Sequence, residues 1–575
     1  MRFPRHRGRL ASLACTAALT GSLVVGGTSA AHAAVQPTAS TPPPIVPQPV
    51  SELAAHGPGF TISATTRIEV TGDDADALGV GRSLAALLHP ATGFDLRVSL
   101  SRAPEGRAIV LDPEGPASLG TEGYTLSSGA RDVRITAHGA EGLFRGIQTL
   151  RQLLPGDVES TTLRHDTWTV APVRITDRPR YAYRGAMLDV ARRFFPVADV
   201  ERYIDQAAAY KMNTLHLHLT DDQGWRIAVD AIPELTGVGG TTQSGFTGGS
   251  WYYTKEQYQQ IVAYAKARFI TVVPEIDGPG HTSAAMASIP GLNCDDKAIP
   301  PYSGFGGPGL RMICLTDPQH IANASQYLTT VIDAVAALTP GPYIHIGGDE
   351  TPQATAAEYN AYVQAASSAV RAQGRTVIGW HQLAQGTLPA GSLLQYWGDS
   401  GDRATVGSAH EAADIVEARE GVAQGASFIM SPADRAYMDM RYDASTPYGL
   451  SWEGFVPVQK SYDWDPTTVT AKPDGSSPVV AADRIAGVEA ALWSDRAYNG
   501  STSLPTSTSQ FPEPSVYADF MTFPHLPAIA EIGWSPQSTH DWNSFSVRLA
   551  AQAPRWTAAG IGYYAEPGIP WPKLS

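Results

Sequence analysis

From Tyr181 onward the chain alternates short apolar runs with longer stretches of mixed apolar and polar character, and no other feature restricts the fold as much. The short runs are Gly185–Val190, Thr214–Leu219, Ile270–Ile276, Tyr343–Ile346, Thr376–Trp380, Leu393–Trp397, Ser427–Ser431 and Gly487–Leu492. Helical runs such as Lys255–Ala267 and Ala354–Gln373 separate many of them. Strand-then-helix alternation is the signature of a parallel sheet with helical crossovers. Eight such units predict an α/β fold, a (β/α)₈ TIM barrel over 179–575, with irregular insertions in the last three units. No short-period repeat is visible, which argues against a solenoid or propeller.

The region before the barrel reads differently. Over 51–178 short strands at Arg67–Val70, Ala108–Leu111 and Val133–Ala137 are joined by helices near Asp74–Leu88 and Gly139–Leu154. The second helix carries Leu143, Ile147, Leu150, Leu153 and Leu154 at helical spacing. This predicts a small α/β domain without catalytic residues. Residues 34–50 are rich in Pro, Ser and Thr and read as a stiff, exposed leader. Arg2, Arg5, Arg7 and Arg9 precede an apolar run from Leu10 to Gly27 and a small-residue site at Ala31-His32-Ala33. That is the pattern of a secretory signal peptide over 1–33, cut after Ala33. Cys15 lies too close to the arginines to be a lipid-modified cysteine, so the expected product is a soluble, exported, extracellular protein.

Two cysteines then remain, Cys294 and Cys314, and in an oxidising compartment they are expected to pair. Closing the loop of about twenty residues between them stabilises by roughly 3 kcal/mol in the chain-entropy picture. A net charge of −14 argues against a nucleic-acid partner, which needs a basic footprint. No metal-ligand spacing is evident, and no metal or organic cofactor is expected.

In a barrel, residues just after each strand converge on one mouth. Here Arg192 follows the first strand, Asp221 and Asp222 the second, Asp277 and His281 the third, and Asp349-Glu350 the fourth. Trp380 and Trp397 end the fifth and sixth, Tyr437 and Asp439 lie beyond the seventh, and Trp493 and Asp495 end the eighth. Aromatic faces beside carboxylates and an arginine suit a sugar: its C–H faces pack on rings and its hydroxyls seek polar partners at the rim. Asp349 and Glu350 are neighbours, and successive strand residues point to opposite faces. Gly347 and Gly348 supply the backbone freedom to bring both carboxylates to one ligand.

The run from His345 to Glu350 (HIGGDE) resembles the H-x-G-G-D-E signature of family 20 glycoside hydrolases, the β-N-acetylhexosaminidases and chitobiases. The similarity runs from about residue 50 to the C-terminus. It includes RGAMLDVAR ending at Arg192, HLHLTDDQGW from His216, VPEIDGPGH ending at His281, WHQ from Trp380, QYW ending at Trp397, YMD from Tyr437 and GVEAALW ending at Trp493. The resemblance implies a non-catalytic domain before the barrel. It also implies exo-hydrolysis of terminal β-linked N-acetylhexosamines, chitooligosaccharides among them, by a substrate-assisted retaining mechanism. In that mechanism the 2-acetamido oxygen is the nucleophile and an oxazolinium-type intermediate forms, an exception to the two-carboxylate scheme.

Carried onto this chain, the family pattern makes Glu350 the acid/base, Asp349 the acceptor of the acetamido N–H and Tyr437 the donor to its carbonyl. Trp380, Trp397 and Trp493 wall the terminal-sugar pocket, and Trp452 stacks on the next unit. Arg192 clamps the 3- and 4-hydroxyls and Asp439 the 6-hydroxyl. Asp221, Asp277 and His281 set the orientation and proton affinity of Glu350. Two departures stand out: Asp495 where the family usually has Glu, and Arg193 where a histidine often follows the clamp arginine. Both bear on the choice between glucosamine and galactosamine. The competing readings are a catalytically silent sugar-binding barrel, release of a disaccharide in the manner of a lacto-N-biosidase, and a conventional two-carboxylate glycosidase using Asp277 or Asp221.

Overall fold

The structure, a computed structural model, describes residues 43–104, 106–305, 311–494 and 513–573. Eight parallel strands close into a barrel: Tyr183–Asp189, Thr214–His218, Thr271–Glu275, Tyr343–His345, Thr376–Trp380, Leu393–Tyr396, Ser427–Met430 and Ile485–Leu492. The first strand seals the ring. It pairs with the second in the register Gly185↔Thr214 and with the eighth in the register Tyr183↔Gly487. All seven of its residues are buried, as expected when one face of a strand meets the barrel interior and the other a layer of helices.

The two-residue period of the strands sorts side chains between those faces. Ala186, Leu188, Leu215, Leu217 and Val272 join the large apolar core outside the barrel wall. Tyr183, Val273, Ile378 and Ile429 form a separate apolar cluster inside it. His216, His218, Glu275, Gln395 and Glu489 are fully buried at the next alternate positions and bond one another across the strands. Gly185 makes room for one of them, since a Cβ there would strike the Glu489 side chain.

Ahead of the barrel stands a seven-stranded mixed sheet in the order Ser51–Ala54, Val173–Asp177, Tyr124–Ser128, Asp132–Ala137, Ala108–Asp112, Arg67–Val70, Arg97–Leu100. Two helices cover it. Ala75–Thr92 starts at Asp74, whose carboxylate accepts from the backbone N–H of Asp76 and Ala77. Ala140–Gln152 buries the Leu143, Ile147 and Leu150 stripe expected from its spacing. Sheet and barrel share charged groups. Glu122 accepts from Arg145 Nε at 3.0 Å and from Arg184 of the first barrel strand at 3.0 Å. Lys211 Nζ donates to Asp177 at 2.9 Å, and the indole of Trp534 donates to the same carboxylate at 2.9 Å. Trp534 ends a helix, His525–Trp534, that packs across the first and eighth barrel strands.

The described part of the Pro-rich leader departs from expectation. Instead of lying exposed, residues 43–50 are tied down: Ile45, Val46 and Pro47 are buried, and Gln152 bonds the backbone of Val46 through both its N–H and its C=O. Gln48 N–H donates to Glu531 at 2.9 Å, and Arg548 donates to the Ile45 carbonyl at 2.8 Å. A proline-rich segment has little conformational entropy left to lose, so two apolar side chains and a few side-chain bonds suffice to dock it. The expected signal segment, with the earlier part of the leader, lies outside the described residues. Cys294 and Cys314 form the expected disulfide, with Cα atoms 5.1 Å apart. Among the described residues no helix is long and apolar enough to cross a membrane.

Candidate active site

The fourth strand ends at His345, earlier than its apolar run, and the turn beyond it shapes the site. Trp380 N–H still bonds the Gly347 carbonyl at 2.9 Å, but the backbone has left the strand conformation. Gly347 takes φ 63° and Gly348 φ 112°, and Glu350, a residue with a side chain, takes φ 50°. A Cβ at Gly347 would meet Asp277 and one at Gly348 would meet Leu383. Tyr359 and Tyr362 lock the excursion from behind by donating to the carbonyls of Gly348 and Ile346 at 2.6 and 2.5 Å. The neighbouring carboxylates of Asp349 and Glu350 thereby face one cavity, which a regular strand forbids.

That cavity measures about 480 Å³. Arg192, His281, Asp349 and Glu350 line its polar side, and Trp397, Tyr437, Trp452 and Trp493 its aromatic side. Asp439 reaches it as well, with Leu450 and Ser451. Trp452 stands at the rim, half exposed, its ring 6.1 Å from Trp397 and from Tyr437. Trp380 lies one layer deeper than the other two expected wall tryptophans: it is buried, 5.7 Å from Trp493 and 4.9 Å from His345 by ring centroids. Asp221 and Asp277 are buried beneath the polar side. Asp222 turns away to accept from the N–H and hydroxyl of Ser283, at 3.0 and 2.6 Å. Asp495 lies outside the described residues.

The charges are ordered from the wall outward. Arg192 reaches Asp221 Oδ2 at 2.7 Å and lies over the Trp493 ring at 4.8 Å. Burial alone would raise the pKa of Asp221, but Arg192 and then His281 hold it far below the usual carboxylate range. His281, itself at φ 53°, sets Nδ1 3.5 Å from Asp221 and Nε2 3.3 Å from Glu350 and 3.6 Å from Asp349. Despite its burial, Asp221 and Asp349 lift the imidazole well above its ordinary value.

The adjacent acids part ways. The His281 imidazole, 3.3 Å away, draws Glu350 below the usual glutamate range, and the Glu350 side chain is 54% exposed at the cavity mouth. Burial pushes Asp349 up to about 6, against the pull of His281 and with the repulsion of Glu350. Asp277, behind Gly347, is driven well up by burial and by Asp349 and Glu275. Burial also raises Tyr437 well above the ordinary phenol value, so it remains an O–H donor. His216, Glu275 and His345 bring potential metal-ligand atoms within 4.8 Å of one another, as do His381, Asp414 and Glu417. Both nitrogens of His216 already face carboxylates, and His381 Nε2 faces Asp414 and Glu417, so these sets are acid–imidazole networks.

Residues 181–537 match the catalytic domain of glycosyl hydrolase family 20, and residues 42–178 match that family's domain 2. The chain belongs to glycosyl hydrolase family 20. A β-N-acetylhexosaminidase of Cellulomonas fimi is 36% identical to it over 531 residues, 92% of this chain and 97% of the relative. The solved family 20 β-N-acetylhexosaminidase of Streptomyces coelicolor superposes with a TM-score of 0.81 at 44% identity, covering 92% of this chain and 99% of that one. A mutant Streptomyces plicatus β-hexosaminidase in complex with its product GlcNAc gives a TM-score of 0.82 at 45% identity, covering 93% and 99%.

Several supporting residues of this family 20 chain escape a reading of the sequence alone. Asp189, the last residue of the first strand, accepts from the backbone of Arg192 and of Ser494, both at 3.0 Å, and so shapes the turn carrying the arginine. Gln382 accepts from the Trp397 indole at 3.0 Å. Glu275, His216, His218 and Glu489 sit inside the family motifs without a role that the motifs assign. They do carry a signal: polar residues at two-residue spacing inside otherwise apolar strands point into the barrel.

Proposed function

We propose that this family 20 glycoside hydrolase removes terminal non-reducing β-linked N-acetylhexosamine residues by substrate-assisted, retaining catalysis. The observation that carries the reading is the left-handed turn from Gly347 to Glu350, which delivers two neighbouring carboxylates with divergent proton affinities to one aromatic cavity beside the Tyr437 phenol. Glu350, at the exposed mouth, protonates the departing oxygen and later takes a proton from water. Asp349, deeper and ionised above pH of about 6, accepts the acetamido N–H and stabilises the positive charge that develops. Tyr437 donates to the acetamido carbonyl and aims it at the anomeric carbon. Trp397 and Trp493 hold the sugar faces above buried Trp380, Trp452 offers a platform for the next unit, and Arg192 and Asp439 take the hydroxyls. The nucleophile belongs to the substrate, so Asp221 and Asp277 are free to act through His281 and Asp349.

The names of the relatives and the product GlcNAc held by the Streptomyces plicatus enzyme support this substrate class. The arginine-led apolar segment ending at Ala33 supports export, with chitin-derived oligosaccharides as a substrate outside the cell. Matched aryl β-glycosides of N-acetylglucosamine and glucose, assayed beside Glu350→Gln, test the mechanism. Cleavage of the acetamido sugar alone, lost in the variant, is expected. Equal cleavage of both sugars would overturn substrate assistance.

A further inference from the structure

We infer that Glu275 and His218, buried inside the barrel and out of reach of the cavity, are positioning residues that govern when the His281–Glu350 pair releases its proton. The inference deepens the proposed reading and rests on Glu350 being the acid/base.

Acids and imidazoles alternate in one continuous line through the barrel. Glu489 Oε1 lies 2.8 Å from His216 Nδ1 and also accepts from Gln395 at 2.8 Å, while Tyr183 donates to its other oxygen at 2.6 Å. His216 Nε2 lies 3.1 Å from Glu275 Oε2, which also bonds His218 Nδ1. His218 Nε2 lies 2.9 Å from Asp221 Oδ2. Asp221 leads to His281 at 3.5 Å, and His281 to Glu350 at 3.3 Å. An ionised carboxylate only accepts hydrogen bonds, so an imidazole serving one at each nitrogen must carry both protons. His218, between Glu275 and Asp221, is therefore a cation between anions.

The proton affinities agree. Burial disfavours the charged ring, yet Glu275 and Asp221 push His218 up to about 10, and Glu489 and Glu275 push His216 up to about 9. The third ring near Glu275, His345 with Nδ1 2.9 Å away, is held below the ordinary imidazole value by burial. The remaining charges around this line are Arg192 on Asp221 and the acids Asp222, Asp277 and Asp349.

Three cations compete for Asp221 Oδ2: Arg192 at 2.7 Å, His218 at 2.9 Å and His281 at 3.5 Å. The two nearer ones take most of its charge, which leaves His281 loosely held. Its Nε2–H bond can then break as Glu350 Oε2–H forms, giving a neutral acid and an imidazole that keeps Nδ1–H toward Asp221. Without the His218 cation, Asp221 grips His281 harder, and the pair keeps its proton to higher pH. Coupling of this kind is strong where water is excluded.

The test is the pH profile of kcat/KM on an aryl β-N-acetylglucosaminide for the full chain, Glu275→Gln and His218→Gln. His218→Gln removes the cation and Glu275→Gln takes away the largest attraction that keeps it charged, so the basic limb is expected to move up by about half to one pH unit, with the affinity for GlcNAc within about twofold. Glu275→Asp, which keeps the charge, is expected to return the limb toward the parent position. A purely structural role would lower the amplitude and leave the limb in place in His218→Gln, which overturns the inference even if Glu275→Gln does not fold. Glu350→Gln separates the two claims. If it retains full activity the proposed mechanism fails; if it is inactive while the limbs of the other variants stay put, only the role of Glu275 and His218 fails.

Discussion

The imidazole of His281 stands 3.3 Å from the carboxylate of Glu350, and both residues hold left-handed backbone, at φ 53° and 50°. A residue with a side chain reaches that region only at a cost of about 1–3 kcal/mol, and such strain persists where the surroundings enforce it. Here the cost is shared by the two ends of one ion pair, which ties the loop after the third strand to the loop after the fourth.

Removing the imidazole is therefore expected to damage acid catalysis more than binding. His281→Ala should lower kcat by about 10²-fold, within the range general-acid groups contribute. The loss should be larger on an N-acetylglucosamine disaccharide than on an aryl glycoside with a good leaving group, which needs its proton less. Steady-state kinetics on the two substrates check this, and equal losses on both would deny His281 a part in proton delivery.

The glycine pair carries a second expectation. Gly348 sits at φ 112° with Leu383 where a Cβ would go, and Gly347 at φ 63° with Asp277 in that place. Gly348→Ala should cost about 1–3 kcal/mol in folding and abolish turnover by swinging Asp349 away from the cavity. Thermal unfolding and activity measured together decide the point. A variant with parent activity would show that the turn is not needed to bring the two acids together.

Most of the barrel is legible in the sequence because periodicity is a direct consequence of burial. All eight expected strands are present, with ends displaced by at most two residues: apolar runs continue a residue into the loop where side chains still pack, and the first and eighth strands begin two residues before their runs. The strands Ser51–Ala54 and Arg97–Leu100 escape such a reading because they are partly exposed and carry no apolar run. The mouth residues are legible from strand ends and from the family motifs. The left-handed turns at His281 and Glu350 are not, because glutamate rarely adopts positive φ and the enrichment of histidine there is too weak to single out one position. Depth is also hidden: the strand-end rule places Trp380 at the mouth but cannot tell a ring in the cavity from one buried beneath it.

The union of sheet and barrel makes a third expectation. Glu122 is buried between Arg145 and Arg184, and although burial opposes it, the two guanidiniums hold its carboxylate below the usual range. Glu122→Gln leaves two buried cations without their shared anion and should cost about 3–5 kcal/mol. Because the folded-state pKa is depressed, the parent's stabilisation is full above the ordinary glutamate pKa. It is lost as pH falls through the folded value. Denaturant unfolding of parent and variant across acidic pH should show the gap narrowing as pH drops, and a constant gap would mean that Glu122 acts through packing alone.

The last expectation concerns Asp349 and the acidic limb of the pH profile. Its task in the proposed mechanism requires the carboxylate, which accepts the acetamido N–H and faces a growing positive charge. Burial lifts its proton affinity to about 6, whereas Glu350, 3.3 Å from His281, is drawn the other way. As pH falls through that value Asp349 is the first of the two to be neutralised, so kcat/KM should decline below about pH 6 with a slope of one proton. Asp349→Asn removes the titrating group and should erase that limb while cutting kcat by about 10²-fold or more. Product binding measured by calorimetry should weaken in the parent over the same pH range, because the acetamido N–H loses its acceptor. An acidic limb that survives unchanged in Asp349→Asn would assign it to Glu350 or Asp277 and would leave the divergence between the neighbouring acids without a catalytic consequence.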